Sequence, residues 1–201
     1  MQAQLMKEVI SFVTRGWRKA DALSFPGGVY AVIHGNIVAV ASLSYGAYAV
    51  VDGLNRVEGV VLSYDDIAVL KKASSVQVGP SGPVLADGVE VGQPLDGLPD
   101  YTIALPGMAE LVDPIVEVDR AALRRQLKQR GETVSLVFTN NDVMVFDEHP
   151  DAHIVVDRVM FDKGLAAMKT KTVKVGVHSP QYMLVSDSTG VRNWIVSGRL
   201  P

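Results

Sequence analysis

One motif, occurring twice, constrains this chain more than any other feature. Val116-Glu117-Val118-Asp119-Arg120 leads to Leu123 and Leu127, and Ile154-Val155-Val156-Asp157-Arg158 leads to Phe161 and Leu165. The leading apolar run suits a short strand. The aspartate that follows offers its carboxylate to the unpaired N–H groups of a helix's first turn. Apolar residues four apart then put one buried stripe on that helix. A looser copy is Val60-Val61-Leu62-Ser63-Tyr64, with Ser63 as the cap and Ile67 and Leu70 as the buried stripe. Asp65 and Asp66 read there as first-turn acids favoured by the helix dipole, not as a catalytic pair. A further helix is expected near the start of the chain, with Leu5, Val9, Phe12 and Val13 on one face.

Strand-like sequence follows each helix. It runs over Val29 to Val51, with turns at His34-Gly35-Asn36 and Ser44-Tyr45-Gly46. It continues over Ser75 to Val78, Val84 to Val91 and Tyr101 to Ala104 after the second helix, and over Val134 to Phe138 and Val143 to Phe146 after the third. Val173 to Val177, Tyr182 to Ser186 and Trp194 to Val196 follow the fourth. Long crossover helices are absent, so the fold class is α+β, with helices packed on mostly antiparallel sheets. The stretch Gly79 to Pro114 is rich in Pro, Gly and Asp and ends in Leu105-Pro106 and Asp113-Pro114. A connector is therefore expected near 105–114, dividing the chain into domains 1–113 and 114–201, each with two helices.

Charge is the next discriminator. The chain carries 19 Lys and Arg against 22 Asp and Glu, a net charge of -3. A nucleic-acid role therefore has to come from distribution, not from total charge. The expected helices and their ends hold Lys7, Arg15, Arg18, Lys19, Lys71, Lys72, Arg120, Arg124, Arg125, Lys128, Arg130, Lys163, Lys169 and Lys171, which is 14 of the 19. Acids are scarce on the same segments. Amphipathic helices often carry lysine on their wet face, but ordinary surface helices mix both signs. A segregated basic surface suits a polyanion recognised through its backbone charge, without base readout.

Several chemistries are excluded or weak. There is no cysteine, which removes disulfides and thiolate sites and fits a cytoplasmic location. Met1 to Ala20 contains Lys7, Glu8, Arg15, Arg18 and Lys19, so no targeting segment is expected. The apolar stretch Val29 to Val51 is broken by His34, Asn36, Ser42 and Ser44 and does not read as a membrane span. His149 and His153 sit beside carboxylates, but Pro150 between them opposes a helical metal-binding geometry, and a solvated turn is expected instead. No serine stands in a nucleophile elbow and no glycine run ends in a phosphate loop. The expectation is a protein that is not an enzyme and takes no cofactor or metal.

The two motifs, with Tyr182-Met183-Leu184-Val185, Trp194-Ile195-Val196 and the tail Gly198-Arg199-Leu200-Pro201, resemble the DNA sliding clamps, the polymerase processivity factors, in a compact two-domain form. The resemblance spans the chain in pattern and is specific from about Val116 onward. It implies a ring that encircles duplex DNA, binds it without sequence preference, and tethers a replicative polymerase. Two domains per chain imply a homotrimer, with twelve helices lining the channel. The DNA-facing residues would be Lys7, Arg15, Arg18, Lys19, Lys71, Lys72, Arg120, Arg124, Arg125, Lys128, Lys163 and Lys169, and Arg192 would lie on the outer face. A groove of Leu105, Pro106, Met108, Leu111, Met183, Leu200 and Pro201 would take polymerase and clamp-loader peptides; the same residues would equally seal a domain junction. The competing function is a β-rich oligomeric structural protein of a virus particle or other assembly, which has no reason to gather its basic residues on helices. An enzyme is the remaining alternative, and the missing catalytic constellation disfavours it.

Overall fold

In a computed structural model the described residues are 3–16, 30–41, 45–52, 54, 57, 59–79, 82–94, 115–179 and 181–199. They fall into two compact units. Met1–Ser42 and Ala47–Tyr101 form one, and Leu43–Gly46 and Thr102–Pro201 form the other. The connector expected near 105–114 and the strand expected at Tyr101 to Ala104 lie outside the described residues.

In the first unit, α1 (Ala3–Val13) is followed by β1 (Tyr30–His34), β2 (Ile37–Ala41), β3 (Tyr45–Val50) and β4 (Val60–Leu62). Then come α2 (Tyr64–Lys72), β5 (Val76–Val78), β6 (Val84–Ala86), β7 (Val89–Val91) and β8 (Gln93–Pro94). One sheet has the order β3-β2-β1-β4-β8, and β5-β6-β7 form a small second sheet. β1 and β2 pair antiparallel with His34 opposite Ile37, so Gly35 and Asn36 make a two-residue turn. Gly35 has φ of 54°, which glycine adopts without strain and which suits the twist of a tight hairpin. Tyr45 and Gly46 open β3 instead of forming the expected turn. Burial overrides the local glycine signal here, because the strand continues through buried Ala47, Tyr48 and Ala49. α1 and α2 pack side by side. The stripe α1 buries is Met6, Val9, Ile10, Phe12 and Val13, while Leu5 is 41% exposed. Helical period explains the correction: Met6, Val9, Ile10 and Val13 recur at three and four residues, and Leu5 falls at the edge of that stripe.

The second unit holds β9 (Ile115–Asp119), α3 (Arg120–Leu127), β10 (Thr133–Phe138) and β11 (Val143–Phe146). β12 (Ile154–Asp157), α4 (Arg158–Ala167), β13 (Thr172–Ser179), β14 (Tyr182–Asp187) and β15 (Arg192–Arg199) complete it. The sheet order is β11-β10-β12-β15-β14-β13-β9, antiparallel at each step. β15 is long enough to pair with β14 over Asn193 to Ser197 and with β12 at Gly198 and Arg199. α3 and α4 pack together, burying Leu123, Leu127, Phe161 and Leu165. Trp194, fully buried on β15, sits against α4 where Gly164 leaves room for it; a Cβ there would stand 2.4 Å from the indole ring. Each unit is thus two helices packed on antiparallel sheet, an α+β arrangement.

Candidate nucleic-acid interface

The caps read from sequence are the caps that form. Ser63 Oγ accepts from the Asp66 N–H, while the Asp66 carboxylate accepts from the Ser63 N–H at 2.8 Å. Asp119 accepts from Ala122 N–H at 2.7 Å, and Asp157 from Met160 N–H at 2.8 Å. Those backbone donors hold the Asp119 carboxyl below its ordinary value of 3.8. Asp66, Asp119 and Asp157 are thus engaged at helix starts, while Asp65 stays exposed on α2.

The expected DNA-facing residues divide into groups. Arg15, Lys72, Arg125, Lys128 and Lys169 are exposed, and Lys7 and Lys163 are half-buried with their helices' wet sides. Arg18 and Lys19 lie outside the described residues. Lys7 acts electrostatically on the Asp87 carboxylate. Lys71 donates to Thr14 Oγ1 at 2.9 Å beside a small cavity of about 120 Å³ lined by Tyr64, Ile67 and Ala68. Burial pulls its amine below the usual lysine range.

On α3 the structure separates residues that the sequence groups. Arg120 donates to the Met168 carbonyl. Arg124 makes a two-pronged ion pair with Asp162 on α4, Nε to Oδ1 at 2.7 Å and Nη2 to Oδ2 at 3.0 Å. Both residues therefore tie α3 to α4 and its C-terminal end. Arg125 and Lys128 form no ion pair among the described residues and remain the exposed cations of this helix.

Of the groove residues, Met183 is fully buried in β14 and belongs to the core. Leu105, Pro106, Met108, Leu111, Leu200 and Pro201 lie outside the described residues. Sequence reasoning missed an open cleft of about 590 Å³ on the second unit. It is lined by Thr133 and Ser135 of β10, Val155 of β12, Arg199 of β15 and the loop Asp147 to Pro150. The lining comes from strands distant in sequence, so no local motif announces it. In the wall loop, His149 Nδ1 accepts from Asp151 N–H, and nearby His153 Nδ1 accepts from Phe138 N–H. Both imidazoles thus hold turns in place. Among the described residues no group of three or more His, Asp or Glu is placed to hold a metal ion. No described helix is long and apolar enough to cross a membrane. Arg192, expected on an outer face, is buried at the start of β15.

Two helices with basic wet faces on an antiparallel sheet, present once in each unit, define the class: the fold is that of the DNA sliding clamps. Solved structures agree. The DNA polymerase III subunit beta of Pseudomonas aeruginosa matches with a TM-score of 0.74 at 15% identity, over 100% of this chain and 65% of its own. The DNA polymerase III beta subunit of Thermotoga maritima matches at 0.73 and 19% identity, over 100% and 65%. A DNA polymerase sliding clamp from Pseudomonas aeruginosa matches at 0.68 and 14%, over 100% and 66%. The chain thus spans about two thirds of the length of these proteins. No protein-family model matches the sequence, and no curated protein matches it.

Proposed function

We propose that this chain is a DNA sliding clamp: a ring of identical subunits that encircles duplex DNA and tethers a replicative polymerase without doing chemistry itself. The observation that carries this reading is the placement of exposed cations on paired helices in a clamp-like fold. Duplex DNA carries one charge per about 1.7 Å of axis, so a basic helical face meets phosphates wherever it stands along the duplex. Contacts to phosphate alone carry no sequence information, which lets a ring move. A tethered polymerase gains effective concentration at the primer end. In this reading segments of a polymerase and a clamp loader dock at the connector residues Leu105, Pro106, Met108 and Leu111, at the tail residues Leu200 and Pro201, and in the cleft that includes Arg199. In this reading the protein works in the cytoplasm.

The test is charge reversal on α3. Arg125→Glu with Lys128→Glu should weaken duplex binding at least about tenfold at low salt and flatten its salt dependence, since two phosphate contacts are replaced by repulsion. The fold should survive, because both side chains are exposed. Retention on nicked circular DNA should fall in parallel. A folded variant that binds and is retained like the parent would remove the helices from any DNA role.

A further inference from the structure

One acid on the second unit's helices is not a cap. Asp162 lies inside α4 and takes Nε and Nη2 of Arg124 at 2.7 and 3.0 Å. The side chains of this pair are 34% and 28% exposed, so the pair stands at the solvent face of the α3–α4 seam. The fork of a guanidinium matches one carboxylate or one phosphate in the same two-pronged way. While Asp162 fills the Nε–Nη2 edge, that edge is closed to phosphate and the guanidinium charge is offset by the carboxylate. Its neighbours Arg125, Lys128 and Lys163 form no ion pair among the described residues. The carboxylate also holds the Arg124 proton more firmly than usual.

We propose that Asp162 acts as an internal phosphate mimic that occupies Arg124 and thereby sets how tightly the α3–α4 face grips duplex DNA. This rests on the clamp reading and deepens it. A ring that must slide gains from few and weak phosphate contacts, because each further contact adds counterion release and a site to be broken at every step. Asp162 withdraws Arg124 from phosphate and leaves Arg125, Lys128 and Lys163 as the solvated charges of this face. Sequence position hides this, since Arg120, Arg124 and Lys128 form one stripe four residues apart while Asp162 is on another helix.

The experiment measures binding of the full chain to a fluorescent duplex over a salt series, with circular dichroism checking the fold of each variant. Asp162→Asn frees Arg124, so affinity should rise several-fold at low salt and the slope of log K against log[salt] should steepen by about 0.9, one more phosphate contact. Arg124→Gln should change the slope far less than Arg125→Gln, which should lose about 0.9. The double variant Asp162→Asn, Arg124→Gln should return to the parent slope. An unchanged slope in folded Asp162→Asn, or an Arg124→Gln variant that loses as much slope as Arg125→Gln, overturns the proposal while leaving the clamp reading intact. A parent chain with no salt-dependent binding at all overturns the clamp reading, and the proposal with it.

Discussion

At the scale of single residues, the most demanding position is Gly164. Helix interiors disfavour glycine by about 1 kcal/mol relative to alanine, so Gly164→Ala would stabilise an isolated α4. In the folded unit the added Cβ would lie 2.4 Å from Cδ1 and 2.7 Å from Cγ of Trp194. Trp194 is fully buried. Overpacking of this kind costs roughly 1–3 kcal/mol, which exceeds the propensity gain. Gly164→Ala should therefore lower the urea midpoint, by the equivalent of up to about 2 kcal/mol; a midpoint above the parent's would show that the indole has room. None of this is visible in sequence, where Gly164 is an ordinary helix weakness. The N-caps behave oppositely. Ser63, Asp119 and Asp157 were legible because capping joins residues two or three apart, a distance the sequence itself fixes.

At the scale of elements, one carboxylate joins a helix end to a hairpin. Asp87 and Gly88 turn β6 into β7 with φ of 50° and 83°, the two positive values of a type I′ turn. The Asp87 side chain accepts from Ser74 N–H and from Ser75 N–H and Oγ, just past the end of α2. These bonds, the Ser74 N–H first, hold its carboxyl below the ordinary 3.8. The folded value is thus the lower one, and the unfolded chain takes up the proton first as pH falls. Stability from this contact is present in full above the unfolded value and is lost as pH drops through the folded value. Asp119 and Asp147 act in the same sense. Asp87→Asn keeps a residue that tolerates positive φ, so it should lower the urea midpoint near pH 5 and lose less than the parent between about pH 5 and pH 3. Parallel loss in both proteins would place the acid sensitivity elsewhere. The hairpin itself was readable as strand-like sequence, but not as a separate small sheet, because pairing partners are chosen by packing.

At the scale of the whole molecule, two such units in one chain make ring closure by three copies the arithmetic of the clamp reading. Closed head-to-tail contacts are heterologous, each joining two different patches of the subunit. Solution mass by light scattering should therefore approach three times 21.6 kDa as concentration rises. A strict monomer at high concentration would leave the ring without support. The sequence by itself determined what depends on near neighbours: four helices with most of their buried stripes, three caps, the strand runs that fall on the described residues, and the surplus of cations on helices. It misjudged Leu5, Tyr45-Gly46 and Arg192, whose environments are set by what packs against them. Only the tertiary structure decided which cations are available. Arg124 and Arg125 are adjacent in sequence and equal in charge, yet one is held by a carboxylate 38 residues away and the other projects into solvent. The physical reason is that a side chain's helical phase is fixed locally, whereas its partner across a helix seam exists only once the two helices have packed.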